Sequence, residues 1–345
     1  MNISEKRNLY IDIAKGIGII LVVFLHNMLI YSVNAYIFPF LVHLFFFIAG
    51  YNFNLSKYRE HPGYFIRTRV LKLLLPYLAA GICTYFLYAE LAPILSLPQI
   101  TTGAAVDGIV SGNIDDLEFN IVLWFLPALF CADMIFMALG YKLKGFYFLA
   151  GVMLVTTAGF VLGRNDQQLI FGLDIAMTMQ LFVYSGYMLK QSNWLEKATQ
   201  SKRSGFLISL ILLPLIAMIV YSAHKALPDV ATRVYGQPVL FFIAGLSGSI
   251  LVLMVSLVIA TIAHRYAGRI LGAIGRASLD ILISHIPISY CIASACALLW
   301  GFWIYDVFTT YWYLIFLFGV TVPTLTHTLI AFILNKTIAT KHQFS

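Results

Sequence analysis

Apolar runs of about twenty residues recur along this chain, with short polar joints between them. A helix needs about that many residues to cross the hydrocarbon core of a bilayer. Ten runs are long enough, near 10–32, 36–56, 71–94, 121–140, 145–163, 168–189, 205–223, 238–263, 272–299 and 310–335. In lipid a helix satisfies its own backbone hydrogen bonds, so such runs have few other ways to fold. The expectation is an all-α integral membrane protein with about ten transmembrane helices, folded as a single domain over residues 1–345. Composition agrees. Of the residues, 61% are hydrophobic and 11% charged, against about 45–50% and 25% in an average soluble domain. No charged linker divides the chain, no internal repeat is visible, and no polar stretch is long enough for a sizeable soluble domain.

The net charge of +7 invites a nucleic-acid reading, but the placement of the charges opposes it. Basic residues collect in alternate joints, with Lys57, Arg59, Arg67, Arg69 and Lys72 after the second run, and Arg265, Arg269 and Arg276 after the eighth. With Lys15 counted at the inner end of the first run, nineteen of the 22 basic residues fall on one side. Only Arg164, Lys225 and Arg233 fall on the other. The positive-inside rule then puts both termini in the cytoplasm. The 97–120 joint fits the outer side, since it holds Asp107, Asp115, Asp116 and Glu118 and no Lys or Arg. Lys6 and Arg7 resemble the start of a signal peptide. Asp12 and Lys15 interrupt what would be its apolar core, and no small-x-small cleavage site follows, so the first run reads as a retained span. Cys83, Cys131, Cys291 and Cys296 lie in apolar runs without CxxC spacing, which makes helix packing a better account of them than disulfides or metal.

His26 is the first candidate for chemistry. It lies eleven residues beyond Lys15, about 16 Å deeper along a helix. An ionisable group in lipid costs about 2.5–3.5 kcal/mol on insertion scales, and by default it marks a functional site. Neutral imidazole suits proton abstraction from a hydroxyl. The bland alternative is a histidine that bonds a neighbouring helix. The charged pair at the entrance, Asp12 and Lys15, favours function for His26. His43, expected at similar depth on the next span, is better read as packing.

Three further segments stand out. Arg67, Arg69 and Lys72 put three cations within six residues, next to an aromatic-rich joint. Arg offers a planar fork that suits phosphate, while a plain topological anchor is the competing account. In Leu271–His285, Gly275 and Ser278 suit a tight entry into a helix, with Ser278 as a helix cap in the bland reading. Asp280 and His285 are five residues apart and share a helix face poorly, so a dyad within that helix is not expected. Trp124, in Leu123–Pro127, reads otherwise as an interfacial aromatic anchor.

Together these segments resemble the family-three membrane acyltransferases, the group that includes polysaccharide O-acetyltransferases and fucose O-acetylase-like proteins. The family pattern opens with an Asp, then a basic residue before Gly, then a His eleven residues on. Asp12, Lys15-Gly16 and His26 match it. Leu44–Tyr51, the basic run from Arg67 to Leu75-Pro76-Tyr77, Leu123–Leu126, Phe182–Leu189 and Ile274–His285 follow in the family's order. Lys15 stands where Arg is common, Ala49 where Ser is usual, Leu282 where Tyr is usual, and His43 where Pro is frequent. These departures bear on the substrate more than on the reaction.

The resemblance implies an O-acyltransferase of a bacterial inner membrane. It would move an acyl group, most simply acetyl, from cytoplasmic acetyl-CoA to a sugar hydroxyl of a glycan or lipid-linked saccharide. His26 would be the general base or transient acyl carrier. Asp12 and Lys15 would hold the inner entrance, and Arg67, Arg69 and Lys72 would grip the CoA phosphates. Ser278, His285 and Trp124 are supporting candidates. The expected partners are acetyl-CoA, the saccharide acceptor and membrane lipids, with no metal and no nucleic acid. A proton-coupled transporter is the rival class. Against it, polar residues gather near both ends of the chain and not in paired segments.

Overall fold

The computed structural model describes residues 9–26, 35–193, 215–221 and 228–343. Apart from an isolated bridge between Asp229 and Val234, the described residues form helices and turns. Among the described residues, six helices are long and apolar enough to cross a membrane: Pro62–Leu95, Ile121–Lys142, Gly145–Arg164, Pro238–Ile262, Ser278–Trp300 and Trp312–Leu334. The remaining expected spans differ in their fates. The 36–56 run holds a shorter apolar helix, Ala35–Tyr51. The 10–32 run begins as a 17-residue helix, Leu9–Leu25, and continues into residues outside the described set. Most of 205–223 lies outside it as well. The 168–189 run is broken into Ile170–Gly172, Leu173–Thr178 and Gln180–Gln191; the first break comes where Phe171 and Gly172 take left-handed backbone angles, the second at Met179. Glycine adopts that conformation without strain.

The helices that carry the argument are α1 (Leu9–Leu25), α2 (Leu41–Tyr51), α3 (Leu55–Glu60), α4 (Pro62–Arg69), α5 (Leu75–Leu95) and α6 (Thr102–Ser111). After them come α7 (Phe125–Lys142), α8 (Gly145–Arg164), α9 (Leu173–Thr178), α10 (Gln180–Gln191) and α11 (Pro238–Ile262). The last four are α12 (Ala267–Arg276), α13 (Ser278–Trp300), α14 (Ile304–Thr310) and α15 (Trp312–Gln343). They divide into two compact units. One contains residues 1–30, 93–97 and 255–345, and the other residues 31–92 and 98–254.

In the first unit, α1 crosses α12 at backbone contact. A Cβ on Gly16 would run into the Leu271 carbonyl oxygen, and one on Gly275 into that of Asp12. Small residues allow such an approach, which in lipid is driven by packing and not by water exclusion. Gly275 therefore serves a helix crossing and not the entry to the next helix. The break before α13 falls at Ala277, where no side chain caps the helix, so Ser278 does not act as the cap expected of it.

In the second unit, α2 and α10 cross in the same way. A Cβ on Gly50 would meet the Val183 carbonyl oxygen, and one on Gly186 that of Phe47. The joint that carries the basic run is helical, not a loop. Pro62 opens α4 at its first turn, and a π-helical turn at Val70–Leu74 leads into α5. The 97–120 joint is folded too. The Thr101 hydroxyl caps α6 by accepting from the Ala104 N–H at 3.2 Å, and Gly112 ends the helix with a left-handed φ of 68°. The Tyr77 hydroxyl, from the Leu-Pro-Tyr element, donates to the Ile109 carbonyl oxygen at 2.8 Å and ties α5 to α6.

Candidate active site

The first unit brings the two ends of the chain together around α1. Asp12 is buried in its first turn and forms an ion pair with Lys15 Nζ at 2.8 Å. Because α12 lies against α1 at Gly16 and Gly275, Arg276 also reaches Asp12, with Nη1 3.9 Å from Oδ2. One carboxylate thus faces two cations. Its Coulombic pull holds both side chains toward α1. Arg276 had seemed an ordinary inner-joint cation. Its place four residues beyond Gly272 and one beyond Gly275, both buried in the crossing, was the available signal.

Just past the end of α1, His26 meets a second histidine, His285 of α13. The ring centroids are 5.2 Å apart and the planes are inclined by 62°. Each ring is held by its own helix. His26 Nδ1 lies 2.7 Å from the Val22 carbonyl oxygen, and His285 Nδ1 lies 2.9 Å from that of Ile281. A carbonyl oxygen only accepts, so both Nδ1 atoms carry hydrogen and donate. In the neutral rings Nε2 is then the nitrogen with the lone pair. His285 is buried, and its Nε2 finds no hydrogen-bond partner among the described residues. Such an orphan acceptor costs about 1–3 kcal/mol, which calls for a reason. Gly319 of α15 closes this corner with no side chain of its own. A Cβ there would lie 3.4 Å from His285 Cβ and 3.5 Å from Val23 Cγ1. Asp280 takes no part in the pair. Its Oδ2 accepts from His327 Nδ1 at 2.6 Å, beside a groove of about 460 Å³ between α13 and α15.

The second unit holds the other expected site residues. Arg67 and Lys72 are exposed. Arg69 turns inward, with Nε 3.0 Å from Oδ2 of Asp133 on α7. The Phe53, Tyr58 and Phe65 rings surround its guanidinium at 5.5–5.8 Å. Arg69 is therefore committed to an ion pair inside an aromatic box, and only its terminal nitrogens remain to meet a phosphate. Asp133 went unnoticed in the sequence, although a lone carboxylate inside an apolar run was a readable sign. His43 is fully buried between Phe182 and Phe241, each ring centroid 4.6 Å away. Neither of its ring nitrogens has a hydrogen-bond partner among the described residues, and its setting is one of packing. Trp124 is not an interfacial anchor. It ends the short helix Ile121–Trp124 with 7% of its surface exposed, its ring edge-on to Phe125.

A further buried cluster was invisible in the sequence. Arg233, counted there as an outer-joint cation, forks onto Asp174 with Nε–Oδ2 at 2.7 Å and Nη2–Oδ1 at 3.3 Å. It also donates to Asn113 Oδ1 at 3.1 Å. Asp174 Oδ1 accepts in addition from the Leu169 N–H at 3.1 Å. Segments about sixty and 120 residues apart are joined by this one guanidinium.

No curated protein and no solved structure matches the chain. A histidine pair held with Nε2 as the basic nitrogen on apolar helices is suited to taking a proton from a hydroxyl, as acyl transfer requires. The model of an acyltransferase domain matches residues 8–334, and on that near-complete coverage the chain belongs to the family-three acyltransferases.

Proposed function

We propose that this acyltransferase moves an acetyl group from acetyl-CoA to a hydroxyl of a cell-surface glycan or lipid-linked saccharide, in a bacterial inner membrane. The observation that carries the reading is the hydrogen bond from His26 Nδ1 to the Val22 carbonyl oxygen, which makes Nε2 the basic nitrogen of the neutral ring. In the reaction His26 takes the acceptor hydroxyl's proton as the oxygen attacks the thioester carbon. The C–S bond breaks, and the proton ends on the CoA thiolate. Lys15 and Arg276, gathered by Asp12, offer cations for the donor's phosphates. The exposed Arg67 and Lys72, together with the terminal nitrogens of Arg69, offer a second cationic group. The ten-span, single-domain arrangement with cytoplasmic termini completes the reading, since it leaves nineteen basic residues on the donor's side.

The test is His26→Ala in cells at matched abundance. Alkali-labile acetate on the surface glycan should fall about 10²–10⁴-fold, the usual weight of general acid–base catalysis. Acetylation near the wild-type level would remove His26 from the chemistry.

A further inference from the structure

Asp280 and His327 form a pair that the acyl-transfer chemistry does not use. His327 Nδ1, on α15, donates to Asp280 Oδ2, on α13, at 2.6 Å. Both side chains line the groove of about 460 Å³ between these helices, a volume within the range of small-molecule sites. The rest of its wall is mostly apolar. It runs from Asp280 to Ile288 on α13 and from Val322 to Leu334 on α15, about 12 Å and about 18 Å at the rise of a helix. Val322, Ile330 and Leu334 are exposed, so the groove opens on the surface of a helix long enough to cross a membrane. The hydroxyls of its wall are engaged within their own helices. Ser284 Oγ donates to the Asp280 carbonyl oxygen at 2.5 Å, and Thr326 Oγ1 to that of Val322 at 2.7 Å. Among the described residues, His327 Nε2 has no hydrogen-bond partner. On α13, His285 turns toward His26, so the histidine pair and the groove lie on different faces of that helix.

The carboxylate restricts what the groove can hold. In either protonation state of the ring, Nδ1 keeps its hydrogen for Asp280, which leaves Nε2 as a lone pair or as an N–H. The carboxylate beside it repels phosphate and carboxylate heads. A hydroxyl donates to the lone pair or accepts from the N–H, so it fits both states. An ammonium fits only the first. The chain of a lipid adds little selectivity, because bilayer tails surround it as favourably as the groove does. Discrimination therefore rests on the polar end, where an ionisable pair facing lipid is costly without a polar partner. We propose that this groove is a binding site for a lipid alcohol. One hydrocarbon chain lies between α13 and α15, with its hydroxyl on His327 Nε2. The site stands apart from the acyl-transfer reading and makes or breaks no covalent bond.

The test is photolabelling of the full chain in phosphatidylcholine vesicles, with hexadecanol that carries a diazirine near the middle of its chain. The label should fall on α13 and α15, along the groove. Unlabelled hexadecanol should compete at a mole fraction about 10- to 100-fold below that of 1-chlorohexadecane, hexadecylamine or palmitate, the weight of one hydrogen bond to a charged group. The paired variant Asp280→Leu with His327→Phe keeps the groove apolar and should lose that preference. Ala331→Phe narrows the groove without touching the pair and should weaken the labelling itself. Thermal unfolding in detergent shows whether each variant is folded, and the wild-type competition decides without either of them. Equal competition by hexadecanol and 1-chlorohexadecane overturns the proposal, since any lipid-facing crevice behaves that way. Stronger competition by hexadecylamine or palmitate overturns the hydroxyl assignment. Labelling outside α13 and α15, or a preference that survives in the folded paired variant, removes the site from this groove.

Discussion

Arg69 Nε stands 3.0 Å from Asp133 Oδ2, and the pair joins the helix that carries the basic run to the helix behind it. Asp133 is 2% exposed in its side chain and Arg69 is 18% exposed. The three cations of the run are therefore unequal. One is part of the protein's interior, and two face outward.

Their substitution should separate accordingly. Arg69→Ala leaves a buried carboxylate without its cation, at a cost of about 3–5 kcal/mol. It should appear as low abundance or a lower melting temperature in detergent. The double variant Arg69→Met with Asp133→Leu should recover most of that loss, because a buried ion pair is readily replaced by apolar groups of similar size. Arg67→Ala and Lys72→Ala should leave stability within about 0.5 kcal/mol and raise the acetyl-CoA requirement. Equal loss of abundance in all three single variants would contradict this division.

Gly186→Ala tests the crossing of α2 and α10. Its new methyl would collide with the Phe47 carbonyl oxygen, which cannot turn aside as a side chain could. Overpacking of this kind costs about 1–3 kcal/mol or more. Gly63→Ala is the control, since a Cβ there meets nothing within 4 Å. Thermal unfolding followed by tryptophan fluorescence should separate the two, and identical curves would refute the close approach.

Arg233→Lys should fail to replace arginine. Lysine cannot reproduce the fork onto Asp174 or hold Asn113 at the same time. Arg233→Ala should cost about 3–5 kcal/mol by stranding the buried Asp174 carboxylate. Limited proteolysis of the 107–118 segment offers a local readout. Wild-type resistance in Arg233→Lys would show that charge alone suffices.

Orientation is open to reporter fusions. A fusion at Ser345 should report the cytoplasm and one within 107–118 the opposite side, from the distribution of basic residues. A fusion at Ser345 that reports the outside would reverse the assignment or change the number of spans.

The apolar runs by themselves determined that the chain is built of membrane-crossing helices. A helix in lipid depends on its own residues for length, for backbone hydrogen bonds and for exclusion of charge. The six ordered elements also pointed to the acyltransferase family, and the model of its domain matches residues 8–334. His26 could be singled out because a titratable side chain deep in an apolar run has a cost visible in one dimension.

What those residues do to one another was decided by the tertiary structure. The family elements that contain Gly50 and Gly186 gave no hint that both glycines serve a single crossing, since backbone contact is a property of two helices together. Arg69 and Arg67 are alike in sequence. Only the position of Asp133, 64 residues on, turns one of them inward. Arg233 looked like a solvated charge until the fold enclosed it with Asp174 and Asn113. His285 acquired a chemical environment only when α13 brought its ring beside α1. Helical character is local, set by hydrogen bonds four residues apart. The pairing of charges and of bases depends on distances across helices, and sequence spacing does not encode them.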